Sequence, residues 1–259
     1  MTTQFDSILF DKSDDGVATI TLNRPDRMNA FHQRMLDEMA RAWAIVRDDP
    51  SIRATVVRAA PGRAFCTGVD VVEQIDLFPQ DPFRERTPGE AIGPKSNQVW
   101  KPVIAAVHGL CGGGGFYFIN QADIIICSED AEFFDPHVSF GLVPACEPIG
   151  AMHRMPFGEI MRMILMGNSE RIVAQTAHRI SLVSEVTSND GLWERAHAIA
   201  TGIAARHPTA TQGAVKALWD ALDIPYSAAF KGSYMYTQVG NPISTADRAS
   251  VQKEPHSKR

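Results

Sequence analysis

The chain has 259 residues, 44% of them hydrophobic and 21% charged, with a formal net charge of −5. That supplies enough apolar material for a sizeable core, in one large domain or in one domain with a helical appendage. The acidic balance, with no long basic run, excludes nucleic acid as an expected partner, and no run of about 18 apolar residues is present to span a membrane.

The first ten residues (MTTQFDSILF) carry an acid early and no basic region ahead of an apolar run, so no signal peptide is expected. Residues 7–10 and 17–22 read as two strands joined by the Asp14-Asp15-Gly16 turn, a hairpin. In residues 31–46 the apolar Met35, Met39, Trp43 and Val46 recur every three or four positions, which predicts an amphipathic helix. Residues 55–58 (TVVR), 103–107 (VIAAV) and 124–127 (IIIC) read as short buried strands with helical patterns between them. Strand alternating with helix predicts an α/β core with right-handed crossovers. Residues 75–94, rich in Pro, Phe and charge and containing Phe78, Phe83 and Ile92, read as a mobile pocket wall.

After residue 145 few strand signals remain, and residues 171–176, 192–206, 209–222 and 227–239 read as helices. These patterns predict a core over residues 1–200 and a helical section over residues 201–259, ending in a polar tail from Ser250. Cys66, Cys111, Cys127 and Cys146 form no CxxC pair and no zinc-ligand spacing. They read as reduced packing residues of a cytoplasmic protein, with no metal site expected.

Two segments carry chemistry. Residues 112–115 are four glycines directly after the strand at 103–107 and the turn His108-Gly109-Leu110-Cys111. Glycines at a strand-to-helix junction leave backbone N–H groups unshielded by any Cβ, aimed at whatever lies above the helix. Such a run can cradle a phosphate or simply allow close packing; it is not a P-loop, since no Gly-Lys-Ser/Thr follows. The second segment is Arg63-Ala64-Phe65-Cys66-Thr67-Gly68-Val69-Asp70, again after a strand, with Asp70 placed to cap a following helix. Two such turns on neighbouring strands can aim two N–H groups at one point, the geometry of an oxyanion hole. The plainer alternative is two ordinary loop glycines.

In this order and spacing, the motifs resemble the crotonase (enoyl-CoA hydratase/isomerase) superfamily, over residues 5–228. Asn23-Arg24-Pro25-Asp26-Arg27-Met28-Asn29-Ala30 is similar to the family's N-terminal NRP…NAL segment, and Phe65-Cys66-Thr67-Gly68-Val69-Asp70 to its F-x-A-G-x-D motif. Val107-His108-Gly109 with residues 112–115 resembles V-N-G…GGG. Ala122-Asp123-Ile124 resembles C-D-I, and residues 134–144 stand where the family has F-x-x-P-E-x-x-x-G-x-x-P. The resemblance implies a spiral of ββα units with a helical C-terminal section, acting on an acyl-CoA. It implies oxyanion donors at the N–H groups of Thr67 and Gly114. Ala64, Phe65, Gly68 and Asp70 would line the CoA side, with Arg24 and Arg27 near the CoA phosphates or adenine. The alternative for both arginines is a solvated surface position. Coenzyme A enters as part of the substrate, with no tightly bound cofactor. A homo-oligomer, a trimer or dimer of trimers, is also implied, and Trp219, Leu222, Phe230, Tyr234 and Tyr236 give the C-terminal helices an apolar motive for it.

The sequence departs from the family pattern at both hydratase glutamates: Tyr117 stands at the first position and His137 follows Pro136 at the second. His137, with an ordinary pKa of about 6.5, suits a general base, and its apolar neighbours are expected to depress that value. Glu147 could serve as a further acid, or simply as a first-turn helix carboxylate. Tyr117 is either a proton donor or core, given its neighbours Phe116, Phe118 and Ile119. The function expected is therefore thioester-enolate chemistry of the hydratase/isomerase kind. Carbon–carbon or thioester hydrolysis, and non-catalytic acyl-CoA binding, remain alternatives.

Overall fold

The computed structural model describes residues 5–73 and 87–246. The Ser250 tail and residues 75–86 of the expected pocket wall, with Phe78 and Phe83, lie outside the described residues. The chain forms two compact units that divide between Ala205 and Arg206.

In the first unit a six-stranded sheet is built from β1 (Ile8–Lys12), β2 (Val17–Leu22), β3 (Ala54–Ala59), β5 (Val103–Val107), β7 (Ile124–Ser128) and β10 (Glu185–Thr187), side by side in that order. Only β1 runs antiparallel to its neighbour, as the hairpin requires; every later pairing is parallel. The central strands β5 and β7 are covered on both faces, so they read as near-continuous apolar runs rather than alternating with polar residues. The two-residue period still decides direction. Val103, Ala105 and Val107 enter the core shared with α1 (Gln33–Asp48), whereas Ile104 and Ala106 enter a second core closed by α7 (Leu192–Ala204). The small Ala196, Ala200 and Ala204 let α7 lie close to the sheet. They also carry α7 past the expected boundary at residue 200.

A second, smaller sheet escaped the sequence reading. It contains β4 (Ala64–Cys66), β6 (Leu110–Gly112) and β8 (Glu132–Phe134), all parallel, with β9 (Ile172–Val173) antiparallel at the edge of β8. Three-residue strands are too short to show a period. The helix expected at 171–176 is instead β9 followed by α6 (Ala174–Arg179), and α1 begins two residues later than expected. Phe31 is kept extended by bridging to the loop after β4, its N–H reaching Gly68 O at 2.8 Å while its own carbonyl accepts from Asp70 N at 2.8 Å. Further α-helices of this unit are α2 (Pro88–Ile92), α3 (Phe116–Asn120), α4 (Cys146–Ala151) and α5 (Phe157–Met166). Ile92, expected in a pocket wall, is fully buried in the main core, and its carbonyl accepts from Trp43 Nε1 at 2.6 Å.

The second unit consists, among its described residues, of α8 (Pro208–Asp220), α9 (Tyr226–Gly232) and α10 (Tyr234–Ala246); the single helix expected at 227–239 is broken at Ser233. Asp220 of α8 takes Lys216 at 2.8 Å and the hydroxyl of Tyr236 on α10. Leu218, Leu222, Tyr226, Phe230, Tyr234 and Met235 are exposed.

Candidate active site

The three parallel strands β4, β6 and β8 deliver their following turns to one edge: Thr67-Gly68, Gly113-Gly114 and Asp135-Pro136-His137. Crevices at the carboxyl ends of parallel strands are where α/β folds place ligands. Here the first two turns touch. A Cβ at Gly68 would lie 3.1 Å from Gly114 N, and one at Gly114 would lie 3.2 Å from Gly68 Cα and 2.6 Å from the Phe31 ring. Gly68 has φ +100°, a backbone that side chains rarely adopt. The expected pair of glycine turns is thus brought together, locked by the Phe31 bridge. Among the described residues, neither Thr67 N–H nor Gly114 N–H donates to a backbone carbonyl outside its own element. Two such donors side by side can stabilise negative charge on a carbonyl oxygen.

The third turn carries an imidazole to the same edge. His137 opens a 3-10 turn (His137–Phe140), and its Cε1 lies 3.5 Å from where a Cβ of Gly113 would be. One oxygen of Asp135, Oδ1, accepts from the backbone N–H of His137 at 3.0 Å and lies 2.7 Å from its Nδ1. Across the ring, Nε2 is 3.9 Å from Glu147 Oε1, too long for a direct hydrogen bond but a gap that a water or substrate oxygen could span. Glu147, buried in the first turn of α4, is held in place by Asn120 of α3, whose Nδ2 donates to its carbonyl at 2.8 Å. Tyr117, also on α3, stands beside Glu147 and Cys146, both of which act on its phenol. His137, Glu147 and Tyr117, distant in sequence, therefore form one cluster.

The electrostatics correct one expectation. His137 is raised above the usual histidine value, not depressed: the hydrogen bond to Asp135 outweighs burial, and the charges of Asp135 and Glu147 add to it. The apolar neighbours were given too much weight, because Asp135 is fully buried and lies directly against the ring. Tyr117 is pushed well above the ordinary phenol range, first by burial, then by Glu147 and Cys146, so it stays protonated.

The remaining predicted residues sit behind the glycine turns. Arg24 is turned inward, donating to Ala30 O at 2.5 Å, Asp70 Oδ2 at 2.9 Å and Glu73 Oε1 at 2.9 Å, with its side chain only 12% exposed. No helix begins at Asp70 among the described residues; its Oδ1 instead accepts from Val72 N at 3.0 Å and Glu73 N at 3.2 Å. Burial opposes its ionisation, but those N–H groups and Arg24 outweigh it and hold Asp70 below the usual carboxylate value. Arg27 is exposed, and Ala64 and Phe65 are buried in β4. Cys66, Cys111 and Cys127 are buried packing residues, and burial pushes the Cys66 thiol up to about 12. Cys146, expected to be one of them, is exposed beside Tyr117. Asp135 was not singled out in the sequence. Its signal was there: an Asp two residues before a His with Pro between, a pattern suited to a turn closed by the carboxylate.

Comparison with known proteins gives the chain's relatives. A family model described as enoyl-CoA hydratase/isomerase matches residues 12–256. The chain is 33% identical over 213 residues to an (E)-benzylidenesuccinyl-CoA hydratase of Thauera aromatica, covering 81% of each chain. It superposes on the crystal structure of an enoyl-CoA hydratase/isomerase from Mycobacterium paratuberculosis with a TM-score of 0.83 and 35% identity, over 95% of this chain and 97% of that one. The enoyl-CoA hydratase of Bacillus anthracis gives a TM-score of 0.83 at 25% identity, over 94% and 93%.

Proposed function

The chain belongs to the enoyl-CoA hydratase/isomerase, or crotonase, family, and from that premise we propose that it is an enzyme acting on an acyl-CoA thioester through an enolate. The enolate oxygen lies between the N–H groups of Thr67 and Gly114. The observation that carries this reading is the contact between the Gly68 and Gly114 turns, with the His137 imidazole beside the same glycine run. A thioester α-proton is very weakly acidic, and each aligned donor contributes on the order of 3–4 kcal/mol to the developing oxyanion. In hydration, a base takes a proton from water as the water oxygen bonds to the β-carbon. The double-bond electrons move onto the thioester oxygen, and a proton reaches the α-carbon as the enolate collapses. In isomerisation the same groups take the proton from one carbon and return it to another.

His137 Nε2 and Glu147 are the groups placed to take and return that proton, with the protonated Tyr117 as a donor beside Glu147. Coenzyme A enters with the substrate. Exposed Arg27 is a candidate for its phosphates, whereas Arg24 acts from behind, holding the Asp70 end of the oxyanion turn through its ion pair. Gly68 shapes the wall along which the thioester runs, with the buried Ala64 and Phe65 of β4 supporting it from behind. The exposed apolar side chains of α8–α10 support a homo-oligomer, a trimer or a dimer of trimers. Among the described residues no helix is long and apolar enough to cross a membrane. The free thiols fit a reducing cytoplasm.

The test is exchange of the α-proton in heavy water, followed by mass spectrometry over a panel of acyl-CoA thioesters. The panel includes crotonyl-CoA and (E)-benzylidenesuccinyl-CoA, the latter named for the Thauera relative. Exchange with at least one member is expected. Tight binding with no exchange by any of them would return the chain to the non-catalytic alternative.

A further inference from the structure

We infer that Asp135 is a positioning residue for this chemistry, holding the His137 ring so that Nδ1–H points inward and Nε2 faces Glu147 and the substrate. The inference rests on the proposed acyl-CoA reading and adds to it a group outside the oxyanion and proton-carrying sets. Four observations support it. Asp135 is fully buried. Its Oδ1 binds two atoms of the same residue, the backbone N–H and Nδ1 of His137. Its Oδ2 is buried without a hydrogen-bond partner among the described residues. And the ring it holds ends 3.9 Å from a second carboxylate, Glu147.

A buried carboxylate with one oxygen unpaired is costly, and closing a turn does not require it. An asparagine would close the Asp135-Pro136-His137 turn through the same oxygen. What only the aspartate supplies is negative charge against the ring. That charge favours the imidazolium formed when Nε2 takes a proton, while the Nδ1–H stays bonded to Oδ1 throughout. No proton needs to pass to Asp135: the one that His137 receives leaves again from Nε2.

The groups facing the imidazole are few. Asp135 precedes it, Glu147 faces it from α4, and Tyr117 and Cys146 stand beside Glu147. On α5, which packs against the same turn, Arg162 is spent on Glu170. The raised His137 value agrees with Asp135 as the dominant neighbour.

Asp135→Asn is the decisive variant, because it keeps size and turn closure and removes the charge. Its turnover should fall about 100-fold, the scale of a disabled general base, with KM nearly unchanged. The acid limb of its pH–rate profile should move to lower pH as the imidazole becomes less basic. In a His137→Ala background the same change should have no further effect on turnover, a result that a merely structural role would not give. Imidazole NMR provides a readout without turnover, with the His137 signals assigned by their loss in His137→Gln. His137 should titrate above about 6.5 in the native chain and lower in Asp135→Asn. If the native ring titrates below that value, or if Asp135→Asn leaves both the titration and the pH profile unchanged, the inference is wrong, even where wild-type exchange upholds the proposed function. Failure of the wild type to exchange any α-proton would instead remove the function, and the titration would still decide whether Asp135 holds the ring. Should Asp135→Asn not fold, the native titration decides alone.

Discussion

Gly68→Ala puts the proposed oxyanion site under the most direct strain. The added Cβ would stand 3.1 Å from Gly114 N, about 0.4 Å inside ordinary contact. The atoms it meets are backbone, at Gly114 N and Gly112 O, so no flexible side chain can yield. The donor must shift by a few tenths of an ångström, and the residue must also hold φ +100°, a strain of about 1–3 kcal/mol. A displacement of about 1 Å in a catalytic group costs about 100-fold in rate, and complete loss of an oxyanion donor costs about 100- to 1,000-fold. A partial shift should therefore lower turnover about 10- to 100-fold. The control is Gly16→Ala in the β1–β2 turn, with φ +84° and a Cβ contact of 3.2 Å to Ser51 O. It carries a similar strain far from the site. Both variants should lose similar stability in chemical denaturation, and only Gly68→Ala should lose α-proton exchange. Equal exchange rates in the two folded variants would mean that Gly68 merely packs, and the oxyanion reading would fall.

Other perturbations address the proposed proton carriers and the C-terminal helices. His137→Ala and Glu147→Gln should each lower turnover about 100-fold or more, as loss of a general acid or base does, while CoA binding measured by calorimetry stays nearly unchanged; full activity in both would remove them from the mechanism. Because the folded His137 value lies above the unfolded value of about 6.5, its pairing stabilises the fold fully below that pH. The contribution disappears as pH rises through the folded value; denaturation across that window, compared with His137→Gln, should show the loss in the wild type alone. Tyr117→Phe, which removes only the hydroxyl, should cost about 100-fold in turnover if the phenol donates the proton; a wild-type rate would return Tyr117 to packing. Phe230→Glu should lower the assembled mass seen by light scattering, and a wild-type chain that is monomeric at micromolar concentration would contradict the oligomer proposal.

How much of this was legible in the sequence depends on distance along the chain. β2 and β5 appear at their predicted bounds because short apolar runs rich in Val, Ile and Thr, bounded by turn residues, leave little choice. The glycine turns were legible as motifs, but their contact was not: Gly68 and Gly114 are brought together by β4 and β6, each three residues long. Ion pairs between remote residues were equally hidden. Arg24 reads as a surface cation until Asp70 and Glu73 are seen around it. His137 was legible as a titratable side chain, but the direction of its shift was not, because local apolar neighbours say nothing about a carboxylate aimed at the ring. Glu147 and Tyr117 were each visible, but their meeting depends on the packing of α3 against α4, anchored by Asn120.

On the proposed reading, the cluster explains how the chain departs from its family without losing its carboxylates. The resemblance puts glutamates at the positions of Tyr117 and His137, facing the substrate directly. Here each position carries a group that is neutral or cationic, and a carboxylate stands behind or beside it: Asp135 against His137, Glu147 against Tyr117. The number of acids is kept, but the base that meets the substrate is now an imidazole held above its ordinary value rather than a carboxylate titrating near 4, while the phenol stays protonated. Two facing carboxylates would also compete for one proton, whereas an imidazole between Asp135 and Glu147 can be charged or neutral with a favourable partner in either state. A base of higher pKa is a stronger proton acceptor but is available only at higher pH. The exchange rate should accordingly keep rising above about pH 6.5, where a pair of ordinary carboxylates, fully ionised well below that, would already have reached its plateau.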